Sequence, residues 1–139
     1  MPSNEYLGQK KEDLDTPVLL IKLDKFEANI NHLAQFCRAH QTAWRPHSKA
    51  HKCPQIAHIE KQAGALGITC AKLSEAEVMV QHGITNILVA NQIVTANKMR
   101  RLAALQNQAR VITTLDNLQL VEPLGAAATS SSTIIPVLI

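Results

Sequence analysis

The chain has 139 residues, of which 46% are hydrophobic and only 3% aromatic, and its formal net charge is +3 at pH 7. This length and apolar content fit a single domain whose core is built from Leu, Ile, Val and Ala. The scarcity of aromatic rings argues against a stacking surface for nucleic acid, and the dispersed charge argues against binding along a phosphate backbone. No apolar run resembles a membrane span or a signal peptide, so we expect a cytoplasmic protein whose three cysteines are reduced.

Strand-like and helix-like segments alternate along the chain, in the order expected of a parallel α/β protein. The predicted strands cover residues 17–23, 44–49, 66–72, 86–90, 110–114 and 134–139. The predicted helices begin at Asp24, Pro54, Ser74, Thr95 and Asp116. A polar linker is predicted over residues 126–133. The pattern therefore predicts five strand–helix units followed by a sixth strand.

Three helix starts are predicted from capping boxes, in which a capping residue is followed three places later by Glu or Gln. The pairs are Asp24–Glu27, Ser74–Glu77 and Asp116–Gln119. Apolar residues at helical spacing predict which helix faces are buried. They are Phe26, Ile30, Leu33 and Cys37 in the first helix, and Met99, Leu102 and Leu105 in the fourth.

The last segment, residues 134–139, has the apolar density of a strand that is buried on both faces. No later helix covers it, and a closed eight-stranded barrel needs about 250 residues. We therefore interpret the fold as a partial (β/α)8 barrel, truncated after about five βα units. The alternative is a complete, open doubly wound sheet, which length alone favours but which no glycine-rich phosphate loop supports.

The most informative segment is residues 44–49, because an extended chain places every second side chain on one face. Arg45, His47 and Lys49 then share a face, which must be wet or must meet an anion. A neighbouring guanidinium disfavours the ammonium form of Lys49, which favours a nucleophilic amine of the kind that forms Schiff bases. The alternative is an ordinary solvated strand face, which the spacing alone favours.

Four segments, in this order and spacing, resemble the N-terminal barrel of the D-threonine aldolase and D-serine dehydratase family. They are Thr16-Pro17, Arg45-Pro46-His47-Ser48-Lys49-Ala50-His51-Lys52, the run from Ala71 to Met79, and the run from Ile87 to Asn91. The resemblance implies the alanine-racemase-like barrel of fold-type-III enzymes, which use pyridoxal 5'-phosphate (PLP). We assign residues 1–14 to a flexible N-terminal segment and residues 15–139 to the incomplete PLP-binding barrel, with the C-terminal β-domain absent.

The resemblance also implies roles for the residues of the basic face. Lys49 is expected to form the internal aldimine with PLP and to be catalytic, and Arg45 and His47 are expected to contact the cofactor. His51 and Lys52 are assigned to a loop or to solvent. The family's divalent metal is held by the C-terminal domain, so no metal ligand is expected in this chain.

The implied reaction is the retro-aldol cleavage of a D-3-hydroxy amino acid to glycine and an aldehyde. A D-serine dehydratase-type lyase and a non-catalytic PLP homeostasis protein of the same barrel type are the alternatives. The expected partner is a small D-amino acid, with no role for nucleic acid or membrane, and a homodimer is an option for a full-length enzyme. Truncation predicts weak PLP binding, no turnover and aggregation through the open strand edge.

Overall fold

The computed structural model describes residues 6–139, so the first five residues of the predicted flexible segment lie outside the described residues. A parallel sheet of four strands has the order β1-β2-β3-β4. The strands are β1 (Ile68–Cys70), β2 (Asn86–Gln92), β3 (Arg110–Thr114) and β4 (Val137–Leu138). The helices are α1 (Leu23–Ala39), α2 (Pro54–Gln62), α3 (Leu73–Gln81), α4 (Ala96–Leu105) and α5 (Val121–Ser130).

The order of the strands identifies the architecture. Each described strand pairs with the next one along the chain, and a helix connects them, without the reversal of order that a doubly wound sheet requires. The structure is therefore an arc of a parallel α/β barrel that is not closed. This confirms the predicted fold class.

The core lies between one face of this arc and the helices. The in-register residues Ile68, Ile87 and Val111 form a row in which every side chain is fully buried. They pack in one cluster with helical side chains such as Met79 and Leu102. The opposite face, which we call the open face, carries the alternate residues of the same strands. In this way the helices cover one side of the sheet and leave the other accessible.

The segment that carries the basic residues is an edge segment rather than a full strand. Its backbone bonds to β1 in parallel, since the carbonyl of Pro46 accepts the Thr69 N–H at 2.8 Å and the Thr69 carbonyl accepts the Ser48 N–H at 2.8 Å. Only His47 forms a regular bridge, with Thr69. Pro46 has no N–H to donate, and the chain turns after Ser48, so the predicted strand over residues 44–49 is shorter than expected.

The first predicted strand, residues 17–23, is wrong. In the structure these residues join no sheet, Leu19 is 98% exposed, and α1 already begins at Leu23. The apolar run of residues 17–23 predicts an extended chain, but an extended chain forms a β-strand only when a neighbouring strand is available to pair with it. The predicted strand over residues 134–139 forms only at Val137–Leu138, which are 43% and 53% exposed at the edge of the sheet, as expected of a strand that no helix covers.

The predicted capping boxes do not form. Lys22 and Lys72 occupy the cap positions of α1 and α3 without a side-chain bond, and Asn117, rather than Asp116, accepts the N–H of Gln119. The predicted linker is also wrong, since residues 126–130 continue α5, where alanine favours a helix. Two predicted helix starts agree, because Pro54 begins α2 and Thr95 caps α4.

The predicted helix faces are mostly confirmed. Met99, Leu102 and Leu105 are all buried in α4. In α1, Cys37 is buried and Phe26 and Ile30 are partly buried, but Leu33 is 44% exposed and Ala34 is buried in its place. No helix among residues 6–139 has both the length and the apolar character needed to cross a membrane.

Candidate active site

The register of the sheet places His47 on the open face. His47 pairs with Thr69, Thr69 pairs with Leu88, and Leu88 pairs with Ile112. In-register residues of neighbouring parallel strands point to the same side of a sheet. His47 therefore belongs to the row formed by Thr69, Leu88 and Ile112, opposite the helices.

Arg45 lies at the amino edge of the open face. Its Nη1 donates to the backbone oxygen of Asn86 at 3.2 Å, and its Nη2 donates to the Asn86 Oδ1 at 3.0 Å. Burial and the nearby Arg110 lower the pKa of Arg45, which nevertheless stays a cation as arginine does in proteins. Gly67 lies between the two partners, and a Cβ at Gly67 would collide with the guanidinium and with the Asn86 carbonyl.

Lys49 lies at the opposite, carboxyl edge, where the chain leaves the sheet. Its side chain is exposed, and its backbone N–H donates to Nδ1 of His47 at 3.2 Å. Because this bond uses Nδ1 as an acceptor, we assign the proton of the neutral His47 ring to Nε2. Arg45 and Lys49 thus flank His47 along the segment, with the Arg45 guanidinium bound to Asn86 at the amino edge.

The turn that carries Lys49 is firmly attached to β1. Ser48 is fully buried, and both its N–H and its Oγ donate to the Thr69 carbonyl, at 2.8 and 3.1 Å. Its Oγ also contacts Cys70 Sγ at 3.5 Å, and burial raises the pKa of this thiol. The Lys52 N–H then closes the turn on the Ser48 carbonyl at 2.7 Å. The exposed amine of Lys49 thus projects from a rigid base.

The acidic partners of this turn were not predicted from the sequence. His51 Nε2 lies 3.8 Å from the Glu60 Oε2 on α2, and the two side chains are 18% and 12% exposed. Burial lowers the pKa of His51 and raises the pKa of Glu60 to about 7. The sequence did contain a signal, because Glu60 is the only acidic residue between Glu27 and Glu75.

A second acidic residue holds the other side of the turn. Lys52 Nζ lies 3.6 Å from Oε1 of Glu75, near the start of α3. The second carboxylate oxygen of Glu75 accepts the Ala71 N–H at 2.9 Å. His51 and Lys52, which we assigned to a loop or to solvent, therefore connect the Lys49 turn to two helices.

The carboxyl ends of β1 and β2 form a small cavity at the starts of α3 and α4. It is lined by Ala71, Lys72, Leu73, Ser74, Val89, Asn91, Gln92, Ile93, Lys98 and Arg101. Among residues 6–139, no three His, Cys, Asp or Glu side chains come together in a way that could hold a metal ion. The functional groups at this edge are thus an exposed primary amine, an imidazole and several cations.

Comparison with known proteins gives consistent results. The profile of the family "Alanine racemase, N-terminal domain" matches residues 21–139. The chain is 35% identical over 139 residues to a D-threonine aldolase of Arthrobacter sp., which covers 100% of this chain and 37% of that relative. It is 42% identical over 77 residues to the D-threo-3-hydroxyaspartate dehydratase of Delftia sp. (strain HT23), covering 55% of this chain and 20% of the dehydratase.

The solved structures give the same result. The crystal structure of D-threonine aldolase from Filomicrobium marinum superposes with a TM-score of 0.89 and 42% sequence identity. The match covers 91% of this chain and 34% of that structure. The chain therefore spans about a third of the length of these two aldolases.

Proposed function

Because the chain belongs to the alanine racemase N-terminal domain family, we propose that it forms the first part of the PLP-binding barrel of a lyase that acts on D-3-hydroxy amino acids. The observation that carries this proposal is the Lys49 amine, exposed on an anchored turn at the carboxyl edge of the strands. Barrel enzymes assemble their active sites at this edge. The similarity to D-threonine aldolase supports retro-aldol cleavage as the reaction.

The residues at this edge fit the aldehyde end of PLP. The side chain of Lys49 is a primary amine, which can attack an aldehyde carbon when it is unprotonated. When bound, PLP supplies an electron sink for the charge left on the α-carbon of an amino acid. His47, whose Nδ1 accepts the Lys49 backbone N–H and whose proton is assigned to Nε2, offers a hydrogen-bond donor next to the Lys49 backbone.

Arg45 and Ser48 contribute a positive charge and a fixed backbone position, respectively. The two bonds to Asn86 fix the Arg45 guanidinium at the amino edge, and we propose that it contributes a permanent positive charge to the cofactor environment from there. Ser48 holds the Lys49 backbone on β1 through Thr69. The Ser48 contact fixes the backbone from which the Lys49 amine extends, which favours one direction of approach to the cofactor.

Dehydration is the second candidate reaction. The similarity to D-threo-3-hydroxyaspartate dehydratase favours it, because elimination of the β-hydroxyl starts from the same class of D-3-hydroxy amino acid. The products separate the two reactions: an aldol cleavage gives glycine and an aldehyde, whereas a dehydration gives a 2-oxo acid and ammonia. A protein that binds PLP but forms neither pair is a homeostasis protein of the same barrel type.

A labelling experiment tests the cofactor site. The protein is treated with PLP, reduced with borohydride and digested, and the modified lysine is identified by mass spectrometry. We expect the label at Lys49, and its loss in Lys49→Arg, which keeps the charge but not the nucleophile. The matched control is Lys61→Arg on α2, which leaves the label unchanged. A label spread over surface lysines in the unaltered protein would refute the site.

A further inference from the structure

We propose that His51 is a positioning residue for Lys49, and that it acts by holding the Lys49 turn against the Glu60 carboxyl on α2. The inference rests on the proposed cofactor role of Lys49. The Glu60 carboxyl is the only group described within 4.0 Å that an imidazolium at His51 could pair with. This contact joins the turn to a helix outside the open face.

The turn needs such a support because its backbone is strained. Lys52 has φ of +49°, in the left-handed region that residues with a side chain rarely adopt. A conformation of this kind persists only when the surrounding contacts determine it. On one side the Lys52 N–H bonds to Ser48, and on the other side the chain enters α2 at Pro54. His51 lies between Ser48 and Pro54 in the chain, directly before the strained residue Lys52.

The hydrogen bonds of the ring direct one proton at Glu60. The His51 Nδ1 accepts the Cys53 N–H at 3.0 Å, so the neutral ring carries its proton on Nε2. Nε2 lies 3.8 Å from Glu60 Oε2, and both atoms are buried without another hydrogen-bond partner among the described residues. A closure of about 1 Å would make this an ordinary hydrogen bond.

Ionisation of the buried Glu60 carboxyl costs the fold stability, which raises its pKa, but the ionisation state also decides how tightly the turn is held. An ionised carboxyl can only accept, which matches the Nε2–H, and such charge-assisted bonds are short and strong. A protonated carboxyl competes with the ring as a second donor. The other charges around the turn are engaged elsewhere or exposed: Lys52 pairs with Glu75 on α3, and Lys49 faces solvent.

The experiment measures the rate at which PLP labels Lys49 as a function of pH. The label is trapped with borohydride and located by peptide mapping. The protein used is the full product of its gene. Because burial raises the pKa of Glu60 to about 7, the unaltered protein should show an inflection there, above which Lys49 labels faster. Glu60→Gln and His51→Asn should lose the inflection and label about tenfold more slowly above it, the order expected for a misplaced reacting group.

A conservative variant separates positioning from folding. His51→Gln places an amide N–H where Nε2 stood and should restore most of the labelling rate, whereas His51→Asn keeps only the acceptor for Cys53. Glu77→Gln, which removes an exposed ion pair with Arg101, serves as the control and should leave the profile unchanged. Circular dichroism verifies that each variant is folded.

The outcomes distinguish this inference from the proposed function. If Lys49 of the unaltered protein takes no label, the cofactor site itself is wrong. If Lys49 is labelled but its profile has no inflection near pH 7, the role of His51 and Glu60 is refuted while the cofactor site stands. Because this second result needs only the unaltered protein, a variant that fails to fold does not remove the test.

Discussion

Arg45 and Asn86 are joined by two hydrogen bonds that cross the amino edge of the open face, from Nη1 to the backbone oxygen at 3.2 Å and from Nη2 to Oδ1 at 3.0 Å. The two residues are 41 positions apart in the chain. The bonds pass over Gly67, which precedes β1. They connect the edge segment that carries Arg45 and Lys49 directly to β2. Arg45 therefore contributes to the assembly of the sheet, whatever its part in cofactor binding.

The first prediction concerns this pair. Arg45→Lys keeps the positive charge but cannot donate to both oxygens in the same geometry. Because one partly buried acceptor is then left without its bond, we expect the free energy of unfolding to fall by about 1–3 kcal/mol. Urea denaturation measures the change, with Arg100→Lys on the exposed side of α4 as the control. An equal effect of the two substitutions would contradict the structural role of Arg45.

The second prediction concerns Gly67. The α-hydrogen of Gly67 that a Cβ would replace points at the Asn86 carbonyl and the Arg45 guanidinium, so the methyl group of Gly67→Ala must displace backbone or break the arginine bonds. We expect a loss of about 1–3 kcal/mol of stability, the usual cost of overpacking. Gly125→Ala is the matched control, because Gly125 lies in α5 and a Cβ there would meet no atom within 4 Å beyond its chain neighbours and the backbone of its own helix. That substitution should stabilise the protein by about 0.5–1 kcal/mol.

The sequence predicted those elements whose local signals agree with their packing. β3 was predicted with its observed limits, because Val111 and Thr113 are buried between residues that are less buried. α4 combines a Thr95 cap with buried Met99 and Leu102. The capping box predicted from Ser74 and Glu77 does not form, because Glu77 pairs instead with Arg101 on α4. A local pattern cannot anticipate a partner 24 residues away.

The same distinction holds for the candidate site. The spacing of Arg45 and His47 on an extended backbone could be interpreted from the sequence alone. Their contacts could not, because Asn86, Glu60 and Glu75 reach the segment only through the fold of the sheet and its helices. The guanidinium of Arg45 was expected beside Lys49, whereas Asn86 holds it at the opposite edge. The roles assigned to Lys49, His47 and Arg45 in cofactor binding stay predictions.

The third prediction is a pH dependence of stability. Burial raises the pKa of Glu60 from 4.5 to about 7, so the folded state binds this proton more tightly than the unfolded state does. Its contribution to stability is therefore present at low pH and is lost as the pH rises from about 4.5 through 7. Glu60→Gln removes the titration.

The measurement compares the two proteins at several pH values. The free energy of unfolding of Glu60→Gln, relative to the unaltered protein, should increase with pH across this range and level off above it. Burial lowers the pKa of His51, so its titration makes stability rise with pH below pH 6.5, opposite to the effect of Glu60. This contribution is common to both proteins and cancels in the difference. A difference that is constant with pH would show that Glu60 titrates normally.

The fourth prediction is an order of thiol reactivity. Cys70 is fully buried, Cys37 is 8% exposed, and Cys53 is more accessible at the start of α2. Burial also raises the pKa of Cys70, and the thiol form is unreactive. Timed alkylation followed by peptide mapping should therefore modify Cys53 first and Cys70 only on unfolding. Cys53→Ser should remove the fast phase, and early modification of Cys70 would contradict its placement beside Ser48.

The fifth prediction separates the two contacts of Glu75. Its carboxylate accepts the Ala71 N–H at 2.9 Å and lies 3.6 Å from the Lys52 ammonium, which is 60% exposed. An exposed ion pair contributes little, whereas an N–H deprived of its acceptor costs about 1–3 kcal/mol. Glu75→Gln keeps an oxygen for Ala71, so it should resemble Lys52→Met and change stability by less than about 0.5 kcal/mol. Glu75→Ala should cost at least about 1 kcal/mol. If Glu75→Gln proves as costly as Glu75→Ala in urea denaturation, the charge, and not the hydrogen bond, holds the end of β1 to α3.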